Sequence, residues 1–163
     1  MKNFAYLLLF LILAAGVYAG GAHLSGGAWP TFGLPLGGAM GELRQMCQSY
    51  WEDIQFKDFK HAAQYHDPSV QDSVDIPYLL ERIFLQKPEF LDLMEYEVVF
   101  VDIDSSGLRG RARTRVRVKD LVKEKIRDQE VMLYFKRKSS SDPWYMDLET
   151  SLRAIEGEEG KKH

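Results

Sequence analysis

Five arginines at alternate positions, Arg109, Arg111, Arg113, Arg115 and Arg117, form the most chemically distinctive run in this chain. Between and around them stand Leu108, Gly110, Ala112, Thr114, Val116 and Val118. Successive side chains of an extended strand point to opposite faces, so this spacing makes one face cationic and the other small and apolar. A guanidinium recognises carboxylates and phosphates through a planar fork of donors. Such a row reads as a solvated salt-bridge ladder, as a docking surface for a partner, or as a contact for an anionic ligand or lipid.

The other chemical candidates are sparser. His61 and His66 could serve as acid or base, but their places beside a helix break and a proline read as surface or capping positions. Catalysis needs such a group within hydrogen-bond reach of a substrate, with its pKa tuned by burial, and no motif marks one. His23 is a lone imidazole without a ligand partner nearby. Cys47 is the single cysteine, which excludes an intrachain disulfide and a cysteine-based zinc site. Its helix-facing apolar neighbours read as the setting of a buried structural thiol. Neither a glycine-rich phosphate loop, HExxH, a serine-centred elbow nor paired ligands at metal spacing occurs, so no catalytic set, cofactor or metal is expected.

A chain of 163 residues with net charge −3 suits one domain behind an N-terminal leader. The acidic balance argues against a nucleic-acid surface. Residues 4–19, FAYLLLFLILAAGVYA, carry no charge and follow Lys2, and the uncharged run continues to residue 22. Residues 1–22 therefore read as a signal anchor holding the chain at a membrane, or as a signal peptide cleaved near Ala19. Residues 23–40 are rich in glycine and proline and uncharged, which reads as a linker. Trp29 and Phe32 within it suit a lipid interface. Residues 41–153 read as the folded domain, and 154–163 as a charged flexible tail.

The elements that must position the arginines follow from periodicity. Leu43, Met46, Cys47, Tyr50, Trp51 and Ile54 recur at helical spacing and predict an amphipathic helix. Asp58 suits the cap of a short helix with Phe59, Ala62, Ala63 and Tyr65, closed by His66-Asp67-Pro68. Residues 69–75 are polar and indeterminate. Asp75 and Pro77 open a third helix with Tyr78, Leu79, Ile83 and Phe84 on its apolar face, ending at Pro88.

From Met94 the period becomes two. A first strand to Ile103, the arginine strand, a third over Ile126 to Lys136 and a fourth over Trp144 to Glu149 make an antiparallel meander. A three-residue loop, Ser105-Ser106-Gly107, pairs Tyr96, Val98 and Phe100 with Val116, Thr114 and Ala112 on the core face. It also sets Glu95 opposite Arg117 and Glu97 opposite Arg115. Val131, Leu133 and Phe135 face the core from the third strand, and Trp144, Met146 and Leu148 from the fourth. Asp128 and Glu130 reach Arg117 and Arg115 from the other side. Arg109, Arg111 and Arg113 are left among Ile103, Val101, Val99, Met132, Tyr134 and Lys136. Arginine and tyrosine among exposed aliphatics are the composition of an interface core, so Arg109, Arg111, Arg113, Val99, Val101, Met132 and Tyr134 are the expected partner-binding residues.

The stretch YWEDIQFKDFKHAAQYHDPS resembles the opening of the nuclear transport factor 2-like superfamily, and DPWYMDL its final strand, over about residues 41–150. The resemblance implies a curved sheet wrapping helices into a cone, often with an interior pocket and often dimerising through the sheet. Tyr50, Trp51, Tyr65, Tyr96 and Trp144 would line that pocket. The expected fold is thus α+β: N-terminal helices packed on a curved, cone-like four-stranded antiparallel sheet, preceded by one hydrophobic helix. The expected role is a non-catalytic, exported and membrane-tethered binding or assembly module of a cell-envelope complex, acting through its outer sheet face on a second copy or a protein partner. The alternative is a small-ligand-binding protein, or an isomerase- or dehydratase-like enzyme, that uses the cone interior.

Overall fold

The computed structural model describes residues 2–26, 37–84, 91–148 and 150–151. The chain separates into two compact units, Met1–Gln45 and Met46–His163. In the first, α1 (Lys2–Leu24) contains the segment Tyr6–Leu24, 19 residues with mean hydropathy 2.0. Its length and composition suffice to cross a membrane, and a signal sequence shares them. The helix runs past residue 22, so His23 belongs to its last turn rather than to a linker. The next helix, α2 (Gly38–Gln55), starts ahead of the expected domain boundary at residue 41. Trp29, Phe32, Pro88 and the tail 154–163 lie outside the described residues.

In the second unit, α2 turns Cys47, Tyr50, Trp51 and Ile54 inward, all buried, as their spacing of three and four predicts. The helix stops where Lys57 adopts a left-handed φ of 61°. Asp58 then caps α3 (Phe59–Ala63), its carboxylate accepting the His61 N–H at 3.0 Å. Asp67 caps α4 (Pro68–Gln71), a short helix inside the stretch that read as indeterminate. Asp75 caps α5 (Ile76–Phe84) by accepting the Tyr78 N–H at 3.1 Å. Tyr78 itself is exposed and Ile76 and Leu80 are buried, which corrects its expected inward place. Two residues on from Ile76 is a turn of about 200°, on the opposite side of the helix.

The sheet has four antiparallel strands in the order β1 (Leu91–Ile103), β2 (Arg109–Asp120), β3 (Lys125–Lys136) and β4 (Tyr145–Met146). Its inner side carries Val98, Val101, Ala112, Thr114, Val116, Leu133 and Phe135, all buried. Between β2 and β3 the register is as expected along its whole length, from Arg109 opposite Lys136 to Asp120 opposite Lys125.

Between β1 and β2 it is not. Tyr96, Glu97 and Val98 face Val116, Arg115 and Thr114 as expected, but Val101 rather than Phe100 faces Ala112. A bulge at Val99 inserts one extra residue into β1, and a second lies at Met94. An extra residue reverses the sidedness of everything beyond it. Phe100 is therefore 39% exposed and Val101 only 8%, the reverse of the expected arrangement. The extra residue also lengthens the hairpin loop. Asp104 and Arg109 close it through a 3.0 Å backbone bond, leaving four residues, Ser105 to Leu108, with Gly107 at φ 70°.

The fourth strand is shorter than expected. After Met146 the Asp147 N–H still reaches the Tyr134 carbonyl at 2.8 Å, but the chain then coils so that the Ser151 N–H bonds the Asp147 carbonyl. The buried Ser151 hydroxyl accepts the Tyr134 N–H at 3.1 Å and so closes part of the β3 edge. Trp144 and Met146 point inward as expected, whereas Leu148 is only half-buried.

Candidate functional site

Every outward position of β2 from Arg111 to Lys119 meets a partner on β1 set by the two bulges. Asp102, Phe100, Glu97, Glu95 and Asp92 stand opposite Arg111, Arg113, Arg115, Arg117 and Lys119. Arg117 grips Asp128 with two bonds, 2.8 and 3.3 Å, and reaches Glu95 at 3.0 Å. The Arg117 guanidinium holds the Asp128 carboxyl below its usual range, mainly by this hydrogen bonding. Arg115 lies between Glu97 at 3.4 Å and Glu130 at 3.6 Å. This end of the row is the expected ladder.

The other end differs from expectation. Arg111 is paired, through Nε and Nη2 to one oxygen of Asp102 at 3.2 and 2.9 Å. Arg113 makes a long 3.7 Å contact with Glu130 and lies over the Phe100 ring, 5.9 Å from its centroid. Its Nε is buried and has no hydrogen-bond partner among the described residues. Of the expected partner-binding residues, Val101 is in the core, Val99 occupies the bulge, and Met132 and Tyr134 are half-buried on the outer face. Arg109 alone of the row makes no ion pair with a described residue.

Beside Arg109 the outer face hollows into a groove of about 680 Å³. Arg109, Arg111, Tyr134 and Lys136 line it from the sheet, and Asp147 and Thr150 from the final turn. Sequence reasoning missed Phe100 and Asp102 as members of this face. A signal was present: the acidic residues of β1 change parity, even at Asp92, odd at Glu95 and Glu97, even again at Asp102. Each change of parity marks one bulge.

The aromatic residues expected to line an interior pocket are largely spent on packing. Tyr50 and Trp51 are each 1% exposed, with ring centroids 5.7 Å apart edge to face, and Tyr65 approaches Tyr50 at 6.1 Å. The Trp51 Nε1–H donates to Thr114 Oγ1 at 3.0 Å, and Cys47 Sγ lies 3.5 Å from the same oxygen. Thr114, the buried polar residue of the inner sheet face, is thereby satisfied. Tyr96 is half-buried, and its hydroxyl is harder to ionise than usual, chiefly through burial. Trp144 lies under the Arg137 guanidinium, 4.3 Å from its ring centroid, and Arg137 is held by the Gly107 carbonyl at 2.7 Å.

The two histidines separate. His61 stands at the surface, with Nδ1 2.7 Å from Asp53. His66, expected at the surface or in a cap, is 1% exposed. The backbone of Tyr65 bonds the Met146 N–H at 2.7 Å, and this bridge to β4 carries the next residue inside. His66 Nδ1 lies 3.3 Å from the Ala63 carbonyl, while Nε2 is buried without a partner among the described residues. Burial lowers the pKa of this imidazole. Among the described residues no group of three or more His, Cys, Asp or Glu side chains is placed to hold a metal ion.

No protein-family model matches this chain, and no curated protein sequence matches it.

Proposed function

We propose that this chain is a non-catalytic, exported and membrane-tethered binding or assembly module of a cell-envelope complex, with the unit from Met46 onward outside the cytoplasm. Its outer sheet face would meet a second copy or a protein partner. The observation that carries this reading is the setting of Arg113. A guanidinium lies over an exposed phenylalanine, with a buried Nε that no described residue satisfies. Met132 is its direct cross-strand neighbour on β3. Arginine, methionine and aromatic side chains in such company are enriched where proteins meet. The apolar helix α1 supports the tether. The resemblance to the nuclear transport factor 2-like superfamily, whose members often dimerise through the sheet, points the same way.

Sedimentation of the full chain in mild detergent tests this, together with crosslinking in native membranes. Self-association or a crosslinked protein partner is expected, abolished by Arg113→Glu and retained in Lys123→Glu on the far hairpin. A monomer without crosslinks, indifferent to Arg113→Glu, sinks the reading.

One observation favours the interior alternative, a small-ligand carrier or an isomerase-like enzyme. His66 Nε2 and Trp144 Nε1 are both buried and unsatisfied by any described residue, as polar atoms awaiting a ligand would be. A ligand there would alter Trp144 fluorescence and lose affinity in His66→Leu.

A further inference from the structure

His66 sits where the helices are fastened to the shortest strand of the sheet. The Tyr65 carbonyl accepts the Met146 N–H at 2.7 Å, and His66 and Met146 form an isolated parallel bridge. On its other flank the His66 carbonyl accepts from the Gln71 side-chain amide at 2.8 Å. The imidazole between these two ties is 1% exposed. Strand β4 has few other bonds. It is two residues long, pairs with β3 at Phe135 and Lys136, and adds the Asp147 N–H to the Tyr134 carbonyl at 2.8 Å. A segment held by so few bonds opens locally at less cost than the whole fold.

The surroundings of the ring suit its neutral form. Nδ1 lies 3.3 Å from the Ala63 carbonyl and can donate there, whereas Nε2 has no partner among the described residues. From α2, the Tyr50 ring meets the imidazole edge to face at 6.3 Å, and burial holds its hydroxyl above the usual range. The Tyr65 hydroxyl is likewise raised, first by burial. At the start of α4 the exposed Asp67 carboxylate is turned to the Ser69 N–H and hydroxyl, with Lys136 and Lys138 favouring its charged form. Met146 and Trp144 bring no charge from the β4 side. Among the described residues no carboxylate lies within ion-pair distance of either His66 nitrogen. A proton on Nε2 therefore creates a buried cation and a buried donor that the closed structure does not satisfy.

We propose that His66 is a pH-sensitive latch: protonation of its imidazole expels the side chain, breaks the Tyr65–Met146 bond and frees β4 while α2 and the rest of the sheet stay folded. Opening bares Trp144, which is 6% exposed when closed. It also uncovers the β3 edge at Tyr134, now covered by the Asp147 N–H and the Ser151 hydroxyl. In the open form the imidazole is solvated, with the ordinary pKa of about 6.5. Burial lowers that pKa in the closed form. Opening is thus promoted as pH falls below about 6.5, by at most about tenfold per pH unit, and levels off beneath the closed-form pKa.

Hydrogen exchange of the full chain in mild detergent, read by mass spectrometry and corrected for the intrinsic pH dependence of exchange, tests this. Between pH 7.5 and 5, protection of a peptide covering residues 144–148 should fall roughly tenfold. A peptide covering residues 47–54 of α2 should keep its protection. His66→Gln should lose the pH step, and His66→Phe, a ring with no proton to gain, should stay closed at both pH values. Constant protection of 144–148 in the parent, or a pH step that persists in both variants, overturns the latch. Joint loss of protection in 47–54 overturns it too, because the opening is then global. If neither variant folds, the imidazole titration of the parent followed by NMR decides: a folded-state pKa at or above about 6.5 overturns the proposal, and a lower one upholds it.

Discussion

The two sides of β2 handle polar groups in opposite ways. On the inner side Thr114 is the buried polar member, and its hydroxyl is held by the Trp51 indole at 3.0 Å with Cys47 Sγ at 3.5 Å. On the outer side the guanidiniums share carboxylates in contact with water, several at distances beyond 3.3 Å. A mispaired group inside has no solvent to turn to, so its partner is obligatory. A mispaired group outside is rehydrated at little cost. The inner side therefore holds the fold, and the outer side is free to diverge along its length, from a closed ladder at Arg117 to an open pair of cations at Arg109 and Lys136.

Thr114→Val should break the inner side most severely. It removes an acceptor from a buried indole N–H while keeping the volume, and should cost about 1 to 3 kcal/mol. Chemical denaturation with an unchanged denaturant slope checks it. A cost no larger than that of an outer-face change would erase the contrast between the two sides.

His66 gives the inner side a pH dependence. Its folded pKa lies below the unfolded value of about 6.5, so the unfolded chain binds the extra proton first. Stability from this group is present above that pH and is lost as pH falls from there through the folded pKa. The carboxylates of Asp67, Asp104, Asp120 and Asp128 are lowered as well, but their contribution is present above about pH 4 and is lost only below it. Thermal melts at pH 7.5 and 5 should differ for the parent and converge in His66→Gln.

Deleting Val99 sharpens the view of the outer side. Without the bulge, Phe100 still faces Arg113, Val101 still faces Ala112 and Asp102 still faces Arg111, so the fold and the Arg111–Asp102 pair should survive with a modest loss. Cross-strand NMR contacts between residues 101 and 112 would verify it. The smallest effect belongs to Arg117→Gln. Its partners Glu95 and Asp128 are more than half exposed, so the change in melting temperature should be slight at low salt and vanish at high salt.

Capping and periodicity are local, and they were readable residue by residue. Asp58 and Asp75 sit at their helix starts, Cys47, Tyr50, Trp51 and Ile54 face inward, and β2 alternates as its arginines require. Register between β2 and β3 was readable too, because acids and arginines alternate in phase on both strands. The apolar run Val98-Val99-Phe100-Val101 offers no polar residue to mark its outward side, and there the phase was lost.

The sequence by itself determined the apolar N-terminal helix, the α+β class and the cationic side of β2. Each follows from side-chain spacing within one segment, which no distant contact can rearrange. Only the tertiary structure decided that Val101 lies inside and Phe100 outside, that His66 is buried, and that a groove opens beside Arg109 and Lys136. Those outcomes depend on where β1 gains a residue and where β4 gives way to a helical turn. Both are settled by the packing of the whole sheet, because an edge strand takes up a bulge wherever doing so puts the most apolar surface against the helices.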